Sequence, residues 1–370
     1  MHILLTSREH LAASYADRAL TRILAALHDL QWARTGRGLP TYTLLVEAGW
    51  PELVVPPADP TDPLAISEQL AAVAAALAQQ DTRIESVLLV GGPAIVPFHC
   101  CINPIPDNDA DIPSDVPYSG PAPFQLPGEW PVGRLPDGGD GNPAVLLRLL
   151  RLATHFQRSA PRPLNQAVGL STAAWQQASA EVYQALSQPL PLFTSPSLAG
   201  DSFQPALLQG AARIYFNLHG VRHNPCWYGQ RADRAGQLVV ALRPEDVDGL
   251  RLTRAVVMSE ACYGAYSPAV PLREGLALRF LLRGAASFVG ATTLTYGPAT
   301  PPLSEADLLA RCFLEASLQP GISAGEALLL ARQRMLRQIL QRYGMLDDDS
   351  SKTALQFILY GDPTIVIGVA

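Results

Sequence analysis

Short apolar runs and amphipathic stretches alternate along almost the whole chain. The apolar runs His2–Thr6, Thr41–Glu47, Ser86–Gly91, Gln166–Ser171, Arg213–Leu218, Ala255–Ser259, Ala285–Gly290 and Thr364–Ile367 are short, and several are continuous between Gly or Pro. Such runs predict parallel strands covered on both faces. Between them, residues 11–31, 64–80, 143–157, 173–187, 273–283, 304–317 and 323–342 carry helical periodicity. Ser323-Ala324-Gly325-Glu326 has capping-box spacing ahead of an apolar run. Strand and helix in alternation predict an α/β fold with a mostly parallel sheet flanked by helices.

Two stretches break this rhythm. Residues 92–143 are crowded with Pro, Gly and Asp, and irregular segments of that length usually serve a function. They mark a seam between two expected α/β subdomains, 1–142 and 143–370. A second Pro/Gly-rich interval, 221–250, separates a strand ending at His219 from one ending just before Cys262.

Composition narrows the function classes. With 370 residues, 48% hydrophobic and 16% charged, the chain is globular and long enough to bury a large core. A net charge of −6 supplies no general attraction to nucleic acid or anionic lipid. The Ala-rich run 64–80 contains Glu68, Gln69, Gln79 and Gln80, so it does not read as a membrane span. Met1–Thr6 reads as a first strand and not as a signal peptide, and a cytoplasmic, reduced location is expected. Five cysteines, with Cys100 and Cys101 adjacent and no CxxC pair, suggest neither a disulfide framework nor a zinc site. No cofactor is expected. Gly91-Gly92 is followed by Pro93 without GxGxxG spacing, and there is no Walker A or HExxH sequence. Gly321-Ile322-Ser323-Ala324-Gly325 matches GxSxG by letter, but Pro320 and a helical pattern precede it, so Ser323 reads as a helix N-cap.

Two strand ends carry residues able to do chemistry: Ile214-Tyr215-Phe216-Asn217-Leu218-His219-Gly220 and Val256-Val257-Met258-Ser259-Glu260-Ala261-Cys262-Tyr263-Gly264. Loops at the carboxyl ends of neighbouring parallel strands converge, which would bring His219 to Cys262. An imidazole beside a thiol lowers its pKa and later protonates a leaving amine. Gly220 allows close backbone approach, and its N–H with that of Cys262 could donate to an oxyanion. A lone strand-end Cys is ordinarily a small buried hydrophobe and a lone His-Gly a turn. Both together, each directly after an apolar strand, favour a nucleophile and its acid/base.

These motifs resemble the cysteine peptidases that include caspases, metacaspases, legumains, clostripain and gingipains. The shared pattern is apolar strand–His-Gly, then apolar strand–x-Ala/Ser-Cys-x-Gly. Further stretches resemble the gingipain branch: Ser114-Asp115-Val116-Pro117-Tyr118, Glu129-Trp130-Pro131-Val132-Gly133-Arg134, His219-Gly220 with Trp227, Gly290-Ala291-Thr292-Thr293 and Tyr360-Gly361-Asp362-Pro363-Thr364. The resemblance implies a caspase–hemoglobinase-like fold, with residues 143–370 as the catalytic subdomain. It also implies thiol endopeptidase activity on protein or peptide substrates and no obligate cofactor. By the same comparison Glu129 falls on a carboxylate that orients the catalytic histidine, although it could equally be a solvated loop residue. Leu135–Asp140 matches poorly the family segment that helps bind a P1 arginine, which leaves specificity open.

Glu260 stands two positions before Cys262, on the same side of a strand. In the resemblance that position lines the P1 pocket, where a carboxylate favours arginine. The alternative is internal pairing with Arg254 or Arg222. Tyr263, Trp227 and Asp115 are further candidates for substrate contact, and Tyr118 and Trp227 could equally be core aromatics. Asp107, Asp109, Asp111 and Asp115 form an acidic loop that could hold calcium, attract basic substrates or simply be solvated. The reading is therefore a cysteine endopeptidase cleaving after a basic residue, with a possible regulatory partner protein. The alternatives are a catalytically silent caspase-like adaptor and a nucleotide-binding α/β protein.

Overall fold

The computed structural model describes residues 1–160, 166–186, 189–197 and 203–368. The strands are β1 (His2–Thr6), β2 (Thr41–Leu45), β3 (Ser86–Val90), β4 (His99–Ile102), β5 (Asp111–Ser114), β6 (Val132–Leu135), β7 (Ala167–Thr172) and β8 (Phe193–Ser195). They continue with β9 (Arg213–Asn217), β10 (His219–Val221), β11 (Asn224–Gln230), β12 (Leu238–Leu242), β13 (Val256–Ser259), β14 (Ser287–Ala291) and β15 (Phe357–Gly361). The α-helices are α1 (Arg8–Ser14), α2 (Asp17–Thr35), α3 (Pro63–Ala78), α4 (Ala144–Arg158), α5 (Gln176–Tyr183), α6 (Pro244–Asp248), α7 (Leu276–Leu282), α8 (Glu305–Ser317), α9 (Ala324–Tyr343) and α10 (Asp348–Gln356).

Ten strands form one sheet in the order β2-β1-β3-β6-β15-β14-β13-β9-β7-β8. All neighbours run parallel except β14 and β15, which are antiparallel. Two parallel blocks of opposite sense therefore meet at that pair. The carboxyl ends of β9, β13 and β14 lie at the same end of the sheet as the amino ends of β6 and β15. β15, from late in the sequence, is the strand that joins the blocks.

Helices cover both faces, as continuous apolar strands require. In the second block, Phe216, Val257 and Phe288 point into a core with Trp227 and Phe280, while Tyr215, Met258 and Val289 face α8 and α9. The expected cap is present: Ser323 Oγ accepts from Glu326 N, and the Glu326 carboxylate accepts from Ser323 N.

Several expected boundaries shift. The 11–31 pattern is two helices broken near Tyr15, and the 173–187 pattern begins as a short 3₁₀ turn, its last residue lying outside the described residues. Thr364–Ile367 makes only a bridge between Val366 and Ser323, and the last strand is β15. The 92–143 stretch holds the β4–β5 hairpin and β6, and the 221–250 interval folds as β11, β12 and α6. Strands of four or five residues with polar members leave little periodicity to read. Among the described residues no helix is long and apolar enough to cross a membrane.

Candidate active site

β9 and β13 pair in parallel with Phe216 opposite Ser259, and Glu260 N donates to Phe216 O. Three residues past that pair on each strand stand His219 and Cys262. The strand register thus delivers the two residues side by side. At Leu218 the chain leaves the main sheet, and His219 opens β10, which pairs with β11 through His219–Tyr228 and Gly220–Trp227. Gly220 then lies directly on the Cys262 backbone: a Cβ there would stand 1.8 Å from Cys262 O and 2.8 Å from its carbonyl carbon. Only glycine fits such an approach.

The imidazole is half-buried and packs against Trp175, with ring centroids 4.2 Å apart. Burial lowers its pKa, and a side-chain hydrogen bond with Gln230 works in the opposite direction. Gln230 is itself fixed, because its backbone N and O both bond Thr172 Oγ1, at 2.7 and 2.9 Å. The second ring nitrogen, His219 Nε2, is buried and has no hydrogen-bond partner. A buried polar atom left open is costly in a site that will not use it.

Cys262 Sγ turns towards Thr295. It receives the Thr295 N–H at 3.3 Å and lies 3.3 Å from Thr295 Oγ1. The Thr295 hydroxyl donates to Glu260 O at 2.7 Å, so its oxygen is left to accept from the thiol. No hydrogen bond joins Cys262 to His219 in this resting arrangement. Hydrogen bonds between a catalytic thiol and its imidazole are often loose before substrate binds.

Beside His219 and Cys262 lies a cavity of about 200 Å³ lined by Trp175, Asn217, Thr295 and Tyr296 and by the carboxylates Glu260 and Asp307. Glu260 is 3% exposed and its Oε1 accepts from the Tyr215 hydroxyl at 2.6 Å. Asp307, from the first turn of α8, accepts from Asn217 Nδ2 at 3.3 Å. Burial, reinforced by the nearby Asp307, pushes the Glu260 carboxyl well above its ordinary range. Burial and the neighbouring Glu305 push Asp307 up to about 8. Neither expected internal partner reaches Glu260: Arg254 bonds the carbonyls of Phe156, Ser159 and Val366, and Arg222 that of Asn108.

The other candidates are placed as follows. Tyr263 follows the thiol at φ +55° and its hydroxyl bonds Asp109 at 2.8 Å. Trp227 is a core aromatic, 5.2 Å from Phe216 by ring centroids, and also lines a small cleft together with Gly220 and Cys262. Asp115 does not face the cleft. Both its oxygens accept from the buried Arg134 guanidinium, at 2.9 and 2.5 Å, and the residue is itself buried. Tyr118 is fully buried and bonds Pro97 O. The aspartates of the acidic loop do not converge on a shared point. Asp107 and Asp109 meet the Lys352 ammonium, Asp115 meets Arg134, and Asp111 is exposed.

Glu129 is not brought to His219. Its N–H is tied to Ser119 O at 2.7 Å, its carboxylate is exposed, and no hydrogen bond or ion pair joins it to the imidazole among the described residues. It precedes β6, which stands four strands from β9 in the sheet. Trp130, buried beside it and donating to Tyr118 O, pins the segment there. The orienting role expected of Glu129 has no counterpart in this geometry.

Sequence reasoning missed Asp307, Thr295, Trp175 and Gln230. Asp307 sits at Ser304-Glu305-Ala306-Asp307, where an acid reads as complementing the helix dipole.

The sequence profile of peptidase family C25 matches residues 57–368. The chain belongs to peptidase family C25. Members of this family are cysteine peptidases. Among solved structures, the chain resembles the Arg-specific cysteine proteinase gingipain R, with a TM-score of 0.65 and 15% identity over 99% of this chain and 77% of that one. It also resembles the complex of Porphyromonas gingivalis RgpB pro- and mature domains, with a TM-score of 0.67 and 13% identity over 99% and 79%. At such identities the likeness establishes the gingipain-type caspase-like fold. A search of curated proteins gives no match.

Proposed function

We propose that this C25 peptidase is an endopeptidase that cleaves after a basic residue, with Cys262 as nucleophile and His219 as acid/base. The observation that carries the specificity is the pair of buried carboxylates, Glu260 and Asp307, in a cavity beside His219 and Cys262, with no internal cation to meet them among the described residues. Burying an unpaired carboxylate is costly, so the pair either holds protons or receives a cation from outside. A guanidinium offers both the charge and a fork of donors.

The steps follow from the same atoms. Neutral imidazole takes the thiol proton as Sγ attacks the substrate carbonyl carbon, forming the S–C bond. The oxyanion is received by backbone N–H groups at Gly220 and Cys262. Imidazolium then gives its proton to the amine as the C–N bond breaks. Water, deprotonated by His219, hydrolyses the acyl-enzyme and restores the thiol. The open Nε2 of His219 supports this role.

The test is a set of fluorogenic peptides differing only at P1, with Arg, Lys, Asn and Asp. Cleavage after Arg or Lys, lost in Cys262→Ala and His219→Ala, is expected. Cleavage after Asp alone would reverse the sign of the pocket. No cleavage and no selective labelling of Cys262 by an acyloxymethyl ketone would leave the silent adaptor.

A further inference from the structure

The single lysine of the sequence, Lys352, is fully buried on α10. Its ammonium pairs with Asp107, stands 3.8 Å from the Asp109 carboxylate and lies 5.2 Å from the centre of the Tyr296 ring. The two aspartates pass this anchoring on. Asp107 accepts from the Tyr296 hydroxyl at 2.8 Å, and its other oxygen accepts Asp109 N at 2.8 Å. Asp109 accepts from the Tyr263 hydroxyl at 2.8 Å with one oxygen and from Leu294 N at 2.8 Å with the other.

The three groups held at the far end all belong to the site. Tyr263 follows Cys262 directly, Leu294 precedes Thr295, which bonds Sγ, and Tyr296 walls the acidic cavity. Tyr263 also keeps a left-handed backbone, at φ +55°, which a tyrosine holds only where surrounding contacts impose it. Its hydroxyl bond to Asp109 is such a contact. The buried ammonium thus stands at the centre of a network whose outer members are the two loops around the thiol.

We infer that Lys352, acting through Asp107 and Asp109, is a positioning residue that fixes the Cys262–Tyr263 and Leu294–Tyr296 loops in their reactive placement. The inference rests on the peptidase reading of the site. An internal cation does here, without exchange with solvent, what a bound metal ion does in other acidic loops. It neutralises the carboxylates while leaving their remaining lone pairs to order the loops.

The test compares wild type with Lys352→Met and Tyr263→Phe. In Lys352→Met, folding being checked by its thermal transition, kcat for an arginyl peptide is expected to fall by about tenfold to a hundredfold, with KM changing less. Amide exchange at Leu294 and Thr295 is expected to quicken. Tyr263→Phe removes one hydroxyl and leaves the buried ion pair intact, so it serves even if Lys352→Met fails to fold. It is expected to lower kcat by about threefold to tenfold. Wild-type kcat in Tyr263→Phe, or in a folded Lys352→Met with unchanged exchange at Leu294 and Thr295, would overturn the inference. Exchange does not depend on catalysis. A wild-type chain that cleaves no peptide would therefore sink the peptidase reading, while the exchange comparison would still decide whether Lys352 holds the two loops.

Discussion

Gly220 and Cys262 are packed backbone against backbone, with the place of a Gly220 Cβ only 1.8 Å from the Cys262 carbonyl oxygen and 3.1 Å from its nitrogen. The contact is between two pieces of main chain, so no side-chain movement can relieve an added methyl. Gly220→Ala is expected to push the nucleophile loop away and lower kcat/KM by about a hundredfold or more, since misplacement of about 1 Å has that effect. Gly249→Ala, where a Cβ would meet nothing within 4 Å, is the control. Kinetics and melting of the two variants check it. Equal activity in both would refute the close approach.

Thiol reactivity should be confined to one position. Burial pushes Cys101 up to about 12 and Cys312 up to about 11, and burial together with Asp111 raises Cys100. At pH 7.5 iodoacetamide is expected to alkylate Cys262 first, and Cys101 and Cys312 only after unfolding. Peptide mapping by mass spectrometry reads the order. Labelling of Cys100 ahead of Cys262 would count against an activated nucleophile.

The acidic cavity gives stability a definite pH dependence. Asp307 and Glu260 have folded pKa values above their unfolded ones, so between about pH 4 and pH 8 the folded state binds more protons. Their contribution to stability is full below the unfolded values and is lost as pH rises through the folded ones. Asp307→Asn keeps an acceptor for Asn217 and removes one of the charges. It is expected to raise Tm at pH 8.5 by roughly 2–6 °C and leave Tm at pH 4 almost unchanged. In wild type, kcat/KM for an arginyl peptide should climb as pH passes about 8 and the pair loses its proton. A loss of stability in Asp307→Asn at pH 8.5 would show that the carboxylate is compensated after all.

Gln230 and Glu129 should separate cleanly. The Gln230 bond favours protonated His219, so Gln230→Leu lets the imidazole pKa fall further, and the acid limb of kcat/KM moves to lower pH. Glu129→Gln, altering an exposed carboxylate held near Ser119, is expected to change kcat by less than about twofold. A larger loss in Glu129→Gln would mean that substrate binding carries Glu129 to the dyad.

Asp115 belongs to the scaffold, and its substitution should be read in melting before kinetics. Asp115→Asn leaves the buried Arg134 without its carboxylate, and breaking such a pair costs about 3–5 kcal/mol. Chemical denaturation measures the loss. An undiminished midpoint would show that Arg134 is satisfied by the carbonyls of Gly91 and Val96 alone.

The placement of His219 and Cys262 was legible in the sequence because it is a matter of strand ends. Apolar runs reveal β9 and β13, and His219 and Cys262 stand two and three residues past the ends of those strands. Glu260 was legible for the same reason. Asp307, Thr295 and Lys352 were not, because nothing local distinguishes them. Lys352 lies in Asp347-Asp348-Asp349-Ser350-Ser351-Lys352, a string that reads as a solvated helix start, and its burial arises only when α10 docks on the β4–β5 hairpin. The reverse error befell Asp115, whose acidic neighbours suggested a solvent-facing role while its partner, Arg134, stood on another strand.

The position of β15 bears on the order in which this enzyme is made. A ribosome releases β1, β3 and β6 first, then β9, β13 and β14, and only afterwards the strand that lies between the blocks. Until Phe357–Gly361 emerges, β6 and β14 each present an open edge, and Lys352, five residues ahead of β15, emerges only just before it. The nascent chain therefore carries Cys262 long before it carries Lys352 and β15. Until the sheet has closed, neighbouring proteins at the ribosome meet two separate blocks of strands.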